Sequence, residues 1–314
     1  MKSTPLPHID DFLLNLQTNN YSEETIYNYE RDLDVLRNFL DEASISFANV
    51  DKKTILNYKA YLTSRDRKTA KNVEPQKKLS SFSINRMLSA FRAYLNYLID
   101  MDYDVPVTPQ VIKLVKTEKK YPRVSEMDEV IKLIESPTGF EKDKTVALRN
   151  RAMLETLFAT GMRISELINL KMNQIDKKGR IFIMGKGKKE RFVYLTPRAE
   201  KHIASYMEVR GDIDSPYLFI PYRGRGVHKK DKKLSPNYLE YKIKRYRELL
   251  GLNVPISAHG IRRAFATYLA ESGASPVAIQ LLLGHESLDT TTRYVRASHK
   301  YAEQSHKKFH PLKE

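Results

Sequence analysis

The chain has 314 residues and no cysteine. Without thiols there can be no disulfide, no thiolate nucleophile and none of the usual zinc-finger ligand sets. Long apolar runs are missing too: no stretch of about 18 apolar residues occurs, so no transmembrane helix is expected. The opening Met1-Lys2-Ser3-Thr4-Pro5 lacks the apolar segment of a secretory signal, and a cytoplasmic location is the expectation. Acidic charge is in short supply. Against 54 Lys and Arg stand 38 Asp and Glu, a formal net charge of +16 at pH 7. Such a surplus attracts polyanions, which points to nucleic acid or an anionic membrane. With no membrane segment expected, nucleic acid is the plainer partner. Composition alone does not separate a DNA partner from an RNA one.

What is present begins with helices. Ile9, Phe12, Leu13 and Leu16 fall on one helical face. Ser22 is a good N-cap with Glu23 and Glu24 in the first turn, and Ile26, Tyr29, Leu33, Leu36 and Leu40 carry an apolar stripe onward. Ile55, Tyr58 and Leu62 predict a third helix, and Ile84, Leu88, Phe91, Leu95 and Leu98 a fourth that ends near Asp102. A bundle of roughly four or five helices accounts for the pattern. Between the third and fourth helices, Arg65 to Lys78 has little to bury and a positive excess. It reads as a mobile loop able to lie along phosphates, or as an ordinary solvated one.

Val105-Pro106-Val107-Thr108-Pro109 breaks helical structure, and Lys113 to Arg123 is basic and irregular. The expected division is a helical domain over 1–103, a linker over 104–122 and a second domain over 123–314 with a C-terminal tail. Ser125, with Asp128 three residues on, marks a helix start. Helical patterns run through Met127–Ile134, Leu148–Phe158 and Ile164–Leu170. Arg180–Met184 and Arg191–Leu195 then read as strands of a β-hairpin around Gly185–Glu190. Helices return after Ser235-Pro236, around Ile261–Leu269 and over Pro276–Leu283. Arg223 to Lys233 is a second basic loop. The expected fold class is mainly α with a small β-hairpin.

Four segments carry chemistry: Thr160 to Leu167 around Arg163, the hairpin turn with Lys186, His259-Gly260-Ile261-Arg262, and Leu283-Gly284-His285. Tyr294 follows His285 by nine residues. Cutting a phosphodiester creates a more highly charged transition state, so cationic donors must be aimed at the non-bridging oxygens. Guanidinium stays charged at pH 7 and its planar fork binds two oxygens, so Arg163 and Arg262 can clamp a phosphate from two sides. A tyrosine nucleophile, with a phenol pKa near ~10, needs a base or a cationic field to lose its proton. The departing oxygen needs an acid, and a lysine on a hairpin turn can supply it. Histidine moves protons near neutrality, which His259 would do beside the nucleophile. Read singly, each of these residues has an ordinary alternative. Arg163 can be a surface ion-pair partner, Lys186 a solvated turn, His259 a cap, Leu283-Gly284-His285 a helix end, and Tyr294 one packing residue among 19 tyrosines. The eight histidines form no His-Glu-x-x-His pair.

Together and in this order, the segments resemble the tyrosine recombinase (lambda-integrase-like) family, and are most similar to its Xer-type site-specific members. The resemblance spans nearly the whole chain. It implies an N-terminal helical core-binding (SAM-like) domain and a C-terminal α+β catalytic domain. Thr160-Gly161-Met162-Arg163 to Leu167 matches the family's first arginine segment, which makes Arg163 catalytic and Glu166 an orienting carboxylate. Gly185-Lys186-Gly187, followed by Arg191, matches the β-turn that carries the catalytic lysine, here Lys186. His259 and Arg262 match the His-x-x-Arg pair, His285 the second histidine, and Tyr294 the nucleophile. The implied reaction forms a 3′-phosphotyrosyl link and a free 5′-hydroxyl, and exchanges strands through a Holliday junction with no metal and no nucleotide cofactor. The implied partners are a double-stranded DNA recombination site and other recombinase subunits: a homo-oligomer, dimeric on a site and tetrameric in synapsis, or a sister recombinase. A nucleoid-associated protein is implied. Many relatives carry histidine directly after the second arginine, where this chain has Arg263.

Base reading is expected from the Ser81–Leu98 and Ser235–Arg247 helices, with Asn85, Arg86, Asn237, Lys242 and Arg245 as candidates. The tail, with Phe309 and Leu312, is expected either to dock on a neighbouring subunit or to fray. Two other functions compete: a type IB topoisomerase, with related tyrosine chemistry but no partner exchange, and a DNA-binding protein that keeps the fold without catalysis.

Overall fold

The computed structural model describes residues 6–64, 67–71, 73, 78–117, 125–184, 190–211, 213–228, 232–284 and 306. The chain divides into two compact units, Met1–Tyr121 and Pro122–Glu314. The fold class is the one expected: mostly helix, with one antiparallel hairpin.

The first unit packs helices α1 (Ile9–Thr18), α2 (Glu23–Glu42), α3 (Lys52–Thr63) and α4 (Ser81–Asp100) around a single core. Polar caps set where the last three begin. The side chains of Ser22, Asp51 and Ser80 accept from the backbone N–H groups of Thr25, Thr54 and Ser83, satisfying donors that a first turn leaves free. The stripes read from the sequence face inward: Phe12, Leu33, Leu36, Leu40, Tyr58, Leu62, Phe91, Leu95 and Leu98 are buried. Burial is the dominant stabilising term here, at about 25 cal/mol per Å² of apolar surface removed from water.

Two segments differ from expectation. Part of the basic stretch after α3 is tied down: Lys68 donates its backbone N–H to the Tyr61 hydroxyl and pairs with Glu42 at 2.9 Å. Asn38 donates to the Thr69 carbonyl. The rest of that stretch lies largely outside the described residues. The first half of the expected linker belongs to this unit's packing. Ile112 is buried, Val105, Val107, Val111 and Val115 lie against the core, and Asn85 clasps the backbone of Val115 through both its N–H and its carbonyl.

The second unit runs α5 (Met127–Glu135), α6 (Pro137–Phe140), α7 (Lys144–Thr160), α8 (Ile164–Ile168), β1 (Arg180–Met184), β2 (Glu190–Tyr194), α9 (Pro197–Arg210), α10 (Pro236–Leu249), α11 (Ala258–Glu271) and α12 (Pro276–Leu283). The cap of α5 sits one residue beyond Ser125, where the backbone N–H of Glu126 donates to the Glu129 carboxylate. Helix α7 is the hub. It is buried over most of its length, and Glu155 accepts from Arg151 of its own helix and from Arg198 of α9. Strands β1 and β2 pair antiparallel with Ile181 opposite Val193 and Ile183 opposite Arg191, so the inward face of the hairpin is apolar except for Arg191. Helix α9 has no counterpart in the sequence reading, although Thr196-Pro197 carries the same cap-plus-proline signature as Ser235-Pro236.

Candidate active site

Helix α7 ends at Gly161, whose left-handed backbone (φ 60°) turns the chain so that Arg163 becomes the N-cap of α8. Met162, fully buried, anchors the turn. One turn into α8, Glu166 reaches back. Its Oε2 accepts from the Arg163 backbone N–H at 2.7 Å, and its Oε1 accepts from Arg163 Nη1 at 3.1 Å. The same carboxylate receives a two-pronged contact from Arg191 on β2: Nη1 to Oε1 at 3.0 Å and Nη2 to Oε2 at 2.7 Å. Burial pushes the Glu166 carboxyl up, but the Arg191 hydrogen bonds, the Arg163 N–H and both charges outweigh it and hold the group below the usual carboxylate range.

The C-terminal end of α12 joins these parts. A helix leaves its last carbonyls without partners and its dipole negative there. Three consecutive carbonyls at this end are each met by an arginine from a different element. Arg191 Nε donates to Leu282 at 3.0 Å, Arg262 Nη2 to Leu283 at 2.6 Å, and Arg163 Nη2 to Gly284 at 3.3 Å. Arg262, on α11 and buried, also donates Nη1 to the Gly161 carbonyl at 2.7 Å. Gly284 is left-handed (φ 63°), and a β-carbon there would stand 3.0 to 3.2 Å from the Arg191 side chain. The segments around Arg163, Arg262 and Gly284, far apart in sequence, thus meet in one place.

His259 occupies the first turn of α11, capped by Ser257. Partial burial first, then the charges of Arg263, Arg262 and Arg163, hold its imidazole below its ordinary value. It is therefore neutral at pH 7 and able to accept a proton. Lys186, His285 and Tyr294 lie outside the described residues, as do Phe309 and Leu312 of the tail. Met184 and Glu190 flank the segment that carries Lys186, and Gly284 immediately precedes His285. Among the described residues, no group of three or more histidine, aspartate or glutamate side chains is placed to hold a metal ion. No described helix is long and apolar enough to cross a membrane.

Residues 123–300 match the model of the phage integrase family, and residues 9–101 match that of the phage integrase N-terminal SAM-like domain. The chain belongs to the phage integrase family of tyrosine recombinases. It is 32% identical over 298 residues to the tyrosine recombinase XerC of Leptospira interrogans, covering 93% of this chain and 89% of that protein. To the tyrosine recombinase XerD of Staphylococcus epidermidis it is 32% identical over 297 residues, covering 92% and 93%. The fold is shared with the site-specific recombinase XerH, solved bound to a palindromic difH substrate, with a TM-score of 0.72 at 21% identity over 97% of this chain and 89% of that one.

In this recombinase the five residues expected to read DNA have unequal surroundings. The amide of Asn85 holds Val115, Arg86 pairs with the buried Asp32 at 2.9 Å, and Lys242 pairs with Glu141 at 2.6 Å. These three are engaged within the chain. Asn237 and Arg245 are exposed on α10, on the face that also carries Tyr241 and Lys244. The residue that the sequence reading passed over is Arg191. Its signal was in view, as the last residue of the Gly-Lys-Gly-x-x-x-Arg pattern. Its role depends on Glu166 and Leu282, which only the fold brings to it.

Proposed function

We propose that this recombinase cuts and rejoins double-stranded DNA at a specific site, with Tyr294 as the nucleophile. The Tyr294 oxygen attacks the scissile phosphorus, and the bond to the 5′ oxygen breaks. A 3′-phosphotyrosyl link and a 5′-hydroxyl result, the leaving oxygen taking its proton from Lys186. His259, neutral at pH 7, accepts the phenol proton, and His285 adds a second donor. A 5′-hydroxyl from a partner duplex then attacks the link, releasing Tyr294 and passing the strand through a Holliday junction. Arg163 and Arg262 clamp the phosphate, and Glu166 orients Arg163. Asn237 and Arg245 contact the DNA. The assembly is a dimer on one site and a tetramer in synapsis, made of this chain or of this chain with a sister recombinase, in the cytoplasm on the nucleoid.

The observation that carries this reading is the convergence of Arg163 and Arg262 on the turn that leads into His285. Two guanidinium groups held next to a neutral histidine suit a phosphoryl transition state. The net charge of +16 suits the duplex around it. The test is covalent trapping on nicked suicide duplexes in EDTA, resolved on a denaturing gel. Wild type should yield a slow-migrating adduct and Tyr294→Phe none. An adduct in the Tyr294→Phe protein would move the nucleophile elsewhere. No adduct on any duplex that the protein binds and synapses would leave a DNA-binding protein without catalysis.

A further inference from the structure

A fourth arginine stands in this cluster, and unlike the others it has no hydrogen-bond or ion-pair partner among the described residues. Arg263 lies on α11 four residues after His259, so the two share a helical face. Its Nε is sealed from solvent without a hydrogen-bond partner, and among the described residues its guanidinium meets no carboxylate or other acceptor. The contrast with its neighbours is plain. Arg163 and Arg191 share Glu166, and Arg163, Arg191 and Arg262 take the last carbonyls of α12. A partly buried cation with idle donors is unfavourable in an isolated protein, since it loses water without gaining a partner. Its charge also bears on His259. After partial burial, Arg263 contributes most to holding the His259 imidazole down, ahead of Arg262 and Arg163. Its field therefore falls on the histidine side of the site.

We propose that Arg263 is a further phosphate-binding residue of this site, its idle guanidinium taking the non-bridging oxygens of a phosphodiester in the bound duplex. The inference rests on the recombinase reading above. A planar fork with unused donors matches a phosphodiester, and arginine keeps its charge across the whole working pH range. Where many relatives carry histidine at this position, the charge there follows pH. In this chain it is permanent, so this contact persists in alkaline buffer.

The test measures affinity of the full chain for a labelled 30-base-pair duplex between 50 and 200 mM salt at pH 8. Wild type is compared with Arg263→Gln and Arg263→Lys. One lost phosphate contact lowers the salt slope by about 0.9, so the advantage of wild type over Arg263→Gln should shrink roughly 3.5-fold across that range. Arg263→Lys should keep the wild-type slope. A wild-type slope in a folded Arg263→Gln protein overturns the proposal. Wild type that binds no duplex would instead overturn the recombinase reading. If Arg263→Gln shows no cooperative melt, phenylglyoxal labelling of wild type decides, with modified arginines located by tandem mass spectrometry. Protection of Arg263 by the duplex supports the contact, and equal labelling with and without duplex removes it.

Discussion

Arg191 fixes the geometry of Arg163 through a carboxylate that they share. Its fork holds both oxygens of Glu166, and Glu166 in turn holds the backbone and one prong of Arg163. Arg191 is about as buried as its partner, with 8% and 11% of the side chains exposed. Removing one member leaves the other charged and poorly solvated, a change that destabilises by about 3–5 kcal/mol in comparable buried pairs. Arg191→Gln should therefore lower the melting temperature. It should also reduce adduct formation by about a hundredfold, since a shift of about 1 Å in a positioning group has that effect. Duplex affinity at fixed salt should change far less. Arg191→Lys restores the charge without the fork, and should recover stability more than rate. Equal losses of affinity and rate in both variants would mean that Arg191 itself contacts DNA.

Among the elements, the end of α7 does the most. Gly161 stops the helix in a left-handed turn, presents its carbonyl to Arg262 and lets Phe265 of α11 lie across it. A β-carbon there would stand 2.3 Å from the Phe265 ring. Gly161→Ala combines backbone strain of about 1–2 kcal/mol with overpacking of about 1–3 kcal/mol. Denaturant unfolding should show a loss of about 2–5 kcal/mol, and an unchanged midpoint would mean that Phe265 swings clear. The sequence made most elements legible because caps and apolar stripes are local: Ser22 and Ser235 start helices as read. Arg163, His259 and Arg262 were legible because each sits in a short motif. The role of Arg191 was not, since its partners are 25 and 91 residues away. Nor was the engagement of Asn85 and Lys242, whose partners Val115 and Glu141 are distant in the chain. Helix α9 was legible from Thr196-Pro197 and went unread, its face being divided among Ala199, Ile203 and Tyr206.

Over the whole molecule, acidification acts in opposite directions on Asp32 of the first unit and on Glu141 and Glu166 of the second. In the first unit Asp32 is 3% exposed, and burial, only partly offset by Arg86 and Arg31, raises its pKa to about 6. The folded state then binds this proton more tightly than the unfolded state. Stability from this group is full below about pH 4 and falls as pH rises to about 6, by up to ~3 kcal/mol. In the second unit Glu141 and Glu166 are held below the usual carboxylate range. Their contribution is present above about pH 4.5 and is lost as pH falls further. Melts of wild type and Asp32→Asn should coincide near pH 4 and separate by pH 7, with the variant the more stable. A constant difference at every pH would mean that Asp32 is ionised throughout.

The three arginines on the last carbonyls of α12 also decide when work is done. Bringing like charges together opposes itself, and near a protein surface two of them about 4 Å apart repel by about 4 kcal/mol. Here the partial negative charge of a helix end and one carboxylate absorb that repulsion as the chain folds. In the proposed reaction the arginines are thus set as the chain folds rather than at every strand cut, and an arriving phosphate meets donors already in place.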